Sequence, residues 1–228
     1  MNRLVIMAVF LMSSVLLVSN AQAAFTLNAT RVVYIEGTKG ANLVIKNNNE
    51  KKYGGQVWLE SEADAIPDNS FVISPSLFTL ASNSKQNLRI MQTSANLPID
   101  REALFWLYVQ ELPPALEEAN QLQFAMRTKI KLIARPANLV EAREGAESQL
   151  TITAVGNTLK INNPTPYIFA ISSLMKGKAE FKDEALSLVK PKRAFTIANN
   201  MEFSRGDQVI VTYVDDFGAY KQQILKVK

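Results

Sequence analysis

Between Asn120 and Pro136, apolar side chains recur at every second position: Leu122, Phe124, Met126, Ile130 and Leu132, with Thr128 in the one gap. Gln121, Gln123, Ala125, Arg127, Lys129 and Lys131 stand between them. A period of two belongs to a β-strand with one apolar and one polar face, because successive side chains point to opposite sides. The lysines bear on what kind of strand this is. A strand edge carries unpaired N–H and C=O groups, and lysine is a common guard against stray pairing there. The same edge can instead add a strand to another protein's sheet.

The first 23 residues read as a processing signal. Arg3 supplies a small positive start, Leu4 to Val18 is mostly apolar, and Ala21-Gln22-Ala23 fits a small-x-small cleavage pattern. The mature chain is expected to begin at Ala24 or one residue later. An uncleaved membrane anchor is the other reading, but the run is short for a span and a cleavage site follows it directly. No later segment approaches the roughly 20 apolar residues that a span needs, so no membrane insertion is expected.

About 205 residues remain, enough for one large all-β domain or two sandwiches of about 100 residues each. Lysine and arginine number 25, or 24 without Arg3, against 21 acids. That mild excess favours solubility and an acidic partner. No basic cluster is interleaved with stacking aromatics, which sets nucleic acid aside. Cysteine is absent, so no disulfide supports the cores. Histidine is absent too, which excludes Ser-His-Asp, Cys-His and His-ligated metal chemistry. Carboxylate-only catalysis and a calcium site stay open on composition, although Asp215-Asp216 offers too few acids for calcium. No cofactor is expected.

Short strand-like runs recur between turn signals. Thr30–Ile35, Ala41–Lys46, Gln56–Glu60 after Gly54-Gly55, Phe71–Ile73, Leu77–Leu80, Gln86–Gln92 and Ala103–Leu112 precede the alternating run. About seven strands in about 110 residues is the spacing of an immunoglobulin-like sandwich. Arg135-Pro136 closes this set, because proline cannot continue a central ladder. The polar segment Val140–Ser148 marks a domain boundary. Leu150–Ala154, Thr158–Ile161, Ile168–Leu174, Leu186–Val189, Ala194–Ile197, Gln208–Val214 and Tyr220–Val227 form a second set. Ala115–Glu118 makes one helical turn at most.

Four pieces, in order along nearly the whole mature chain, carry a resemblance. They are Thr30-Arg31-Val32-Val33-Tyr34, Leu97 to Pro113 with Asp100-Arg101-Glu102, Gln123 to Pro136, and Asn163-Pro164-Thr165-Pro166-Tyr167. Together they resemble the periplasmic chaperones that assemble pili and fimbriae in the chaperone–usher pathway. The chain departs from the family pattern at Ala103, Tyr108 and Ala134, and has no cysteine pair. The segment from Pro113 to Gln121 is short, similar to members that build rod-like pili with tips.

The resemblance implies an all-β protein of two immunoglobulin-like β-sandwich domains, set in an L or boomerang around a cleft. The expected boundaries are 24–139 and 146–228, with a linker at 140–145. It implies a non-enzymatic, periplasmic chaperone whose partners are pilus or fimbrial subunits, an adhesin among them, and an outer-membrane usher. A self-capping dimer of the free chain is also implied. Leu122, Phe124 and Met126 would fill the groove of a subunit that lacks its last strand. Arg31 and Lys131 would bind the subunit's C-terminal carboxylate through charge-assisted bonds. Lys131 is out of phase with the three donor residues, so a bulge, strong twist or a cleft reached from the other face is required. Glu102, Arg135 and Asp216 match a salt bridge joining the two domains. Two other classes compete. A fimbrial subunit or adhesin would need a free N-terminal donor extension. A glycosidase or sugar-binding module would need carboxylates facing a groove, and Glu60, Glu62 and Asp64 are only close in sequence.

Overall fold

The computed structural model describes residues 24–62, 66, 68–93, 96–116 and 122–228. The expected signal segment 1–23, Asp64, Glu117 and Glu118 of the expected turn, and Asn120-Gln121 lie outside these residues. No helix among the described residues is long and apolar enough to cross a membrane.

The first half of the chain folds into nine strands. They are β1 (Phe25–Leu27), β2 (Arg31–Ile35), β3 (Ala41–Asn47), β4 (Tyr53–Ser61), β5 (Phe71–Ser74), β6 (Leu77–Leu80), β7 (Lys85–Gln92), β8 (Ala103–Leu112) and β9 (Arg127–Arg135). One sheet has the order β1-β3-β7-β5 and the other β2-β9-β8-β4-β6. Alternation makes the core between them. Leu43 and Ile45 of β3, Leu88 and Ile90 of β7, Phe105 and Leu107 of β8 and Leu132 of β9 are fully buried on the facing surfaces. The residues between them turn outward.

The second half contains β10 (Thr151–Val155), β11 (Thr158–Asn163), β12 (Ile171–Lys176), β13 (Ala179–Phe181), β14 (Arg193–Ala198), β15 (Gln208–Val214) and β16 (Tyr220–Lys226). Its sheets are β10-β11-β14 and β13-β12-β15-β16. Ile161, Leu174, Leu186, Val189, Val209 and Val211 fill the core between them. The protein is all-β, in two sandwich domains.

Three expectations change. Gly54 and Gly55 are not a turn before a strand but the inside of β4. A Cβ on Gly55 would lie 2.4 Å from Phe78 Cζ, so only glycine fits this close approach. Leu186–Val189 is not a strand. Glu184–Ser187 is a 3-10 turn, its start capped where Asp183 Oδ1 accepts from the Ala185 N–H at 2.9 Å. Only an isolated bridge between Phe169 and Val189 follows, and β12 begins at Ile171 rather than Ile168. The strands β1 and β13, three residues each, are too short to announce themselves by periodicity.

The domains meet through a third apolar cluster, in which Leu104 of β8 and Ile133 of β9 pack with Ile168. These residues lie on the sheet face opposite the first core, so that face of β8 and β9 fronts the second domain.

Candidate functional site

The alternating run is a strand only from Arg127 onward. β9 pairs with β8 without interruption from Gln110↔Arg127 to Ala103↔Ala134. On its other side β2 pairs with it in parallel, but only from Arg31↔Lys131 to Ile35↔Arg135. The second half of β9 is therefore interior to the sheet, and not the edge that the sequence pattern suggested. Among the described residues, no strand pairs with 127–130 on the β2 side. The cause is local: upstream of Arg31 the chain leaves for the other sheet, where the Asn28 N–H donates to Val44 O.

Beyond this open edge, residues 122–126 carry no strand pairing, although Met126 O accepts from the Glu111 N–H at 2.9 Å. Leu122, Phe124 and Met126 are 82%, 72% and 51% exposed. Three large apolar side chains in a row at such exposure are unusual on a monomer surface.

The unbroken β8–β9 register leaves no bulge in β9. Ile130, Leu132 and Ala134 enter the first core, while Lys131 and Ile133 face the second domain. Lys131 is thus directed to the cleft by simple alternation. Its Nζ donates to Ser187 O at 2.9 Å, and Arg31 Nη1 donates to Val214 O at 3.0 Å. Both cations reach carbonyls of the second domain, and neither has a carboxylate within salt-bridge distance among the described residues. Arg31 Nε is buried without a hydrogen-bond partner. Burial, with Arg31 and Lys129 as neighbouring like charges, pushes the Lys131 ammonium down to about 8. Burial also lowers Arg31, against the pull of Asp216 and Asp215. Two sheltered cations side by side, bonded to carbonyls and in no salt bridge among the described residues, suit an anion.

A second group of charges lies where the domains join. Arg135 Nε donates to Glu102 Oε1 at 2.6 Å, and Arg135 Nη1 to Asp216 Oδ2 at 2.7 Å. Glu102 Oε2 accepts from the Ile168 N–H at 2.7 Å, and the Glu102 N–H donates to Pro166 O. Burial pushes the Glu102 carboxyl up, with Arg135 and the Ile168 amide opposing. Burial would raise Asp216 too, but the bond from Arg135 holds it below the usual carboxylate range. Arg143 extends the network, with Glu147 at 2.8 Å and Asp216 at 3.5 Å. Sequence reasoning missed Arg143 and Glu147. Their i, i+4 spacing within a segment read as a polar linker was the available signal.

The motif Asn163 to Tyr167 supports this junction. Asn163 is fully buried, and its amide donates to Tyr167 O while its oxygen accepts from Thr165. Tyr167 in turn donates through its hydroxyl to Leu139 O at 2.8 Å. A cavity of about 480 Å³ opens beside it, floored by Leu104, Ile168 and Leu188. Lys190–Glu62 at 2.7 Å and Lys192–Asp100 at 2.6 Å bridge the domains around it. Glu60 and Glu62 are not poised for catalysis: Glu60 accepts from Trp58 Nε1, and Glu62 from Trp106 Nε1 and Lys190.

Comparison with known proteins follows the same division. Residues 24–140 match a family model described as pili and flagellar-assembly chaperone, PapD N-terminal domain. Residues 145–225 match pili assembly chaperone PapD, C-terminal domain. The chaperone protein FanE of Escherichia coli is 38% identical over 207 residues, covering 88% of this chain and 89% of that one. The chaperone protein FocC of Escherichia coli is 35% identical over 215 residues, 91% of each. Among solved structures, a chain of the Salmonella enterica SafA pilin–SafB chaperone complex superposes with a TM-score of 0.78 at 29% identity. That match covers 92% of this chain and 99% of that one. The E. coli chaperone DraB gives a TM-score of 0.71 at 28% identity, covering 90% and 96%.

Proposed function

This chain belongs to the pili assembly chaperone family, and we propose that it captures fimbrial or pilus subunits in the periplasm by lending them a strand, then passes them to an outer-membrane usher. Residues 24–139 and 146–228 are its two working domains. The observation that carries this reading is the open edge at residues 127–130, continued by exposed Leu122, Phe124 and Met126 and ending at Arg31 and Lys131, neither of them in a salt bridge among the described residues.

A partner strand laid on that edge continues the line of β2 upstream of Arg31. It runs parallel to β9 and ends where β2 begins, so its terminal carboxylate arrives at Arg31 and Lys131. Main-chain bonds satisfy both edges, and Leu122, Phe124 and Met126 enter the subunit's groove. Each contributes roughly 1.5–3 kcal/mol when fully buried, before ordering costs. Sheltered charge-assisted bonds at the anchor contribute roughly 1.5–3 kcal/mol each. Glu102, Arg135 and Asp216 hold the domains so that the two halves of the anchor stay in reach. Without a subunit, the exposed donor residues favour a self-capping dimer.

Co-expression with candidate pilin and adhesin subunits tests the reading. A stable one-to-one complex purified from the periplasm is expected, lost on Arg31→Ala or Lys131→Ala while the variants remain folded. A complex that survives either substitution overturns the anchor.

A further inference from the structure

The cleft-facing side of β9 carries three cations in a row, Arg127, Lys129 and Lys131, at strand spacing of roughly 7 Å. None has a carboxylate within salt-bridge distance among the described residues, whereas Glu60 of β4 and Glu62 just after it are engaged elsewhere. Keeping like charges in a row is costly: after burial, the nearby charges of Arg31 and Lys129 add to what holds the Lys131 ammonium below its ordinary value.

Simple guarding of an edge needs no fixed position for such residues. Here aromatic rings hold them. Arg127 lies over Trp58 at 5.1 Å and also donates to Gln110 Oε1 at 2.9 Å. Lys129 lies over Trp106 at 4.0 Å and Tyr108 at 5.5 Å, and Lys131 over Trp106 at 5.5 Å. Trp58 and Tyr108 are themselves stacked, 5.0 Å apart and 8° from parallel. The rings belong to β8 and β4, on the side of β9 away from the open edge, and they park the cations over the cleft-facing side of the sheet without neutralising them.

We propose that this ladder selects a subunit whose C-terminal strand carries acidic side chains at alternating positions just before its terminus. The proposal rests on the anchor reading above. In a parallel pair, opposed residues share a face, as Arg31 and Lys131 do. A partner residue opposite Lys129, and another opposite Arg127, therefore face the cleft beside these cations. Their neighbours face the groove side and stay apolar. The ladder thus adds a sequence filter to an anchor that any free carboxylate satisfies.

Synthetic peptides test this against the purified chain by fluorescence anisotropy. One strand-forming decapeptide bears glutamates at the second and fourth positions from its free C-terminus. A second bears glutamines there, and a third is the acidic peptide with an amidated terminus. The acidic peptide is expected to bind about fivefold tighter than the glutamine peptide, the difference fading in 0.5 M salt. In the double variant Arg127→Gln with Lys129→Gln, that ratio falls to about one while the preference for a free terminus persists. Equal binding of the acidic and glutamine peptides, with the free terminus still preferred, overturns the ladder and leaves the anchor standing. No preference for the free terminus, or no binding of any peptide, overturns both.

Discussion

Lys131 keeps its charge against burial and two neighbouring cations, and this has two opposite consequences for pH. In the unfolded chain its ammonium titrates near the usual 10.5, but in the folded chain at about 8. Between these values the unfolded state binds more protons, so stability rises with pH across that window. Capture of a carboxylate needs the charged form, so it moves the other way. Apparent subunit affinity should fall roughly tenfold for each pH unit above 8, until the pKa in the complex is reached. Lys131→Arg should flatten that dependence, because arginine stays charged. A titration of peptide affinity from pH 7 to 9.5 reads both. Gly55 makes a purely structural counterpart. An added Cβ would strike Phe78 at 2.4 Å and Phe25 at 3.0 Å, so Gly55→Ala should cost about 1–3 kcal/mol of stability. Chemical denaturation checks it, with the midpoint falling at constant m-value.

At the scale of the element, β9 is one strand with two environments. Its second half, between β2 and β8, is as interior as any strand in the protein. Its first half still pairs with β8, but the exposed side chains of Leu122, Phe124 and Met126 before it join neither core. Exposed substitutions seldom move stability beyond about 0.5 kcal/mol. Leu122→Ser with Phe124→Ser should therefore leave thermal unfolding unchanged and abolish subunit capture, measured on the same preparation. A drop in melting temperature with capture retained would show these residues to be structural. The alternation from Leu122 to Leu132 was plain in the sequence, but where pairing stops was not. That depends on β2 starting at Arg31, about a hundred residues away in the chain.

At the scale of the whole molecule, an apolar cluster and a buried network of charges join the domains. The Glu102 side chain is fully buried, and Arg135 is 6% exposed between it and Asp216. Removing one member of a buried ion pair costs about 3–5 kcal/mol, because the remaining charge is stranded. Arg135→Met should therefore loosen the junction, seen as a broader solution-scattering distribution and loss of a single unfolding transition. Glu102→Gln added to it should restore part of the loss, since no unpaired charge then remains. Wild-type behaviour of Arg135→Met would remove the network from any role in fixing the domains. The three central residues were legible through motif resemblance, whereas Arg143 and Glu147 were not. Their importance comes from standing beside Asp216, which no spacing along the chain encodes.

Local chemistry explains this division. Period-two patterning and turn residues pointed to an all-β chain, because they act through neighbours in sequence, whereas its two domains and non-enzymatic role followed from the family resemblance. The motifs named the residues that a family member would use. Tertiary structure decided which side of β9 stays unpaired, that the face Lys131 shares with Ile133 fronts the second domain, and that Trp58, Trp106 and Tyr108 hold the cations in place. Those outcomes depend on strands that meet across the sheet from distant parts of the chain. Pairing partners of that kind follow from how the strands of the first sandwich assemble into one sheet, and alternation alone cannot express them.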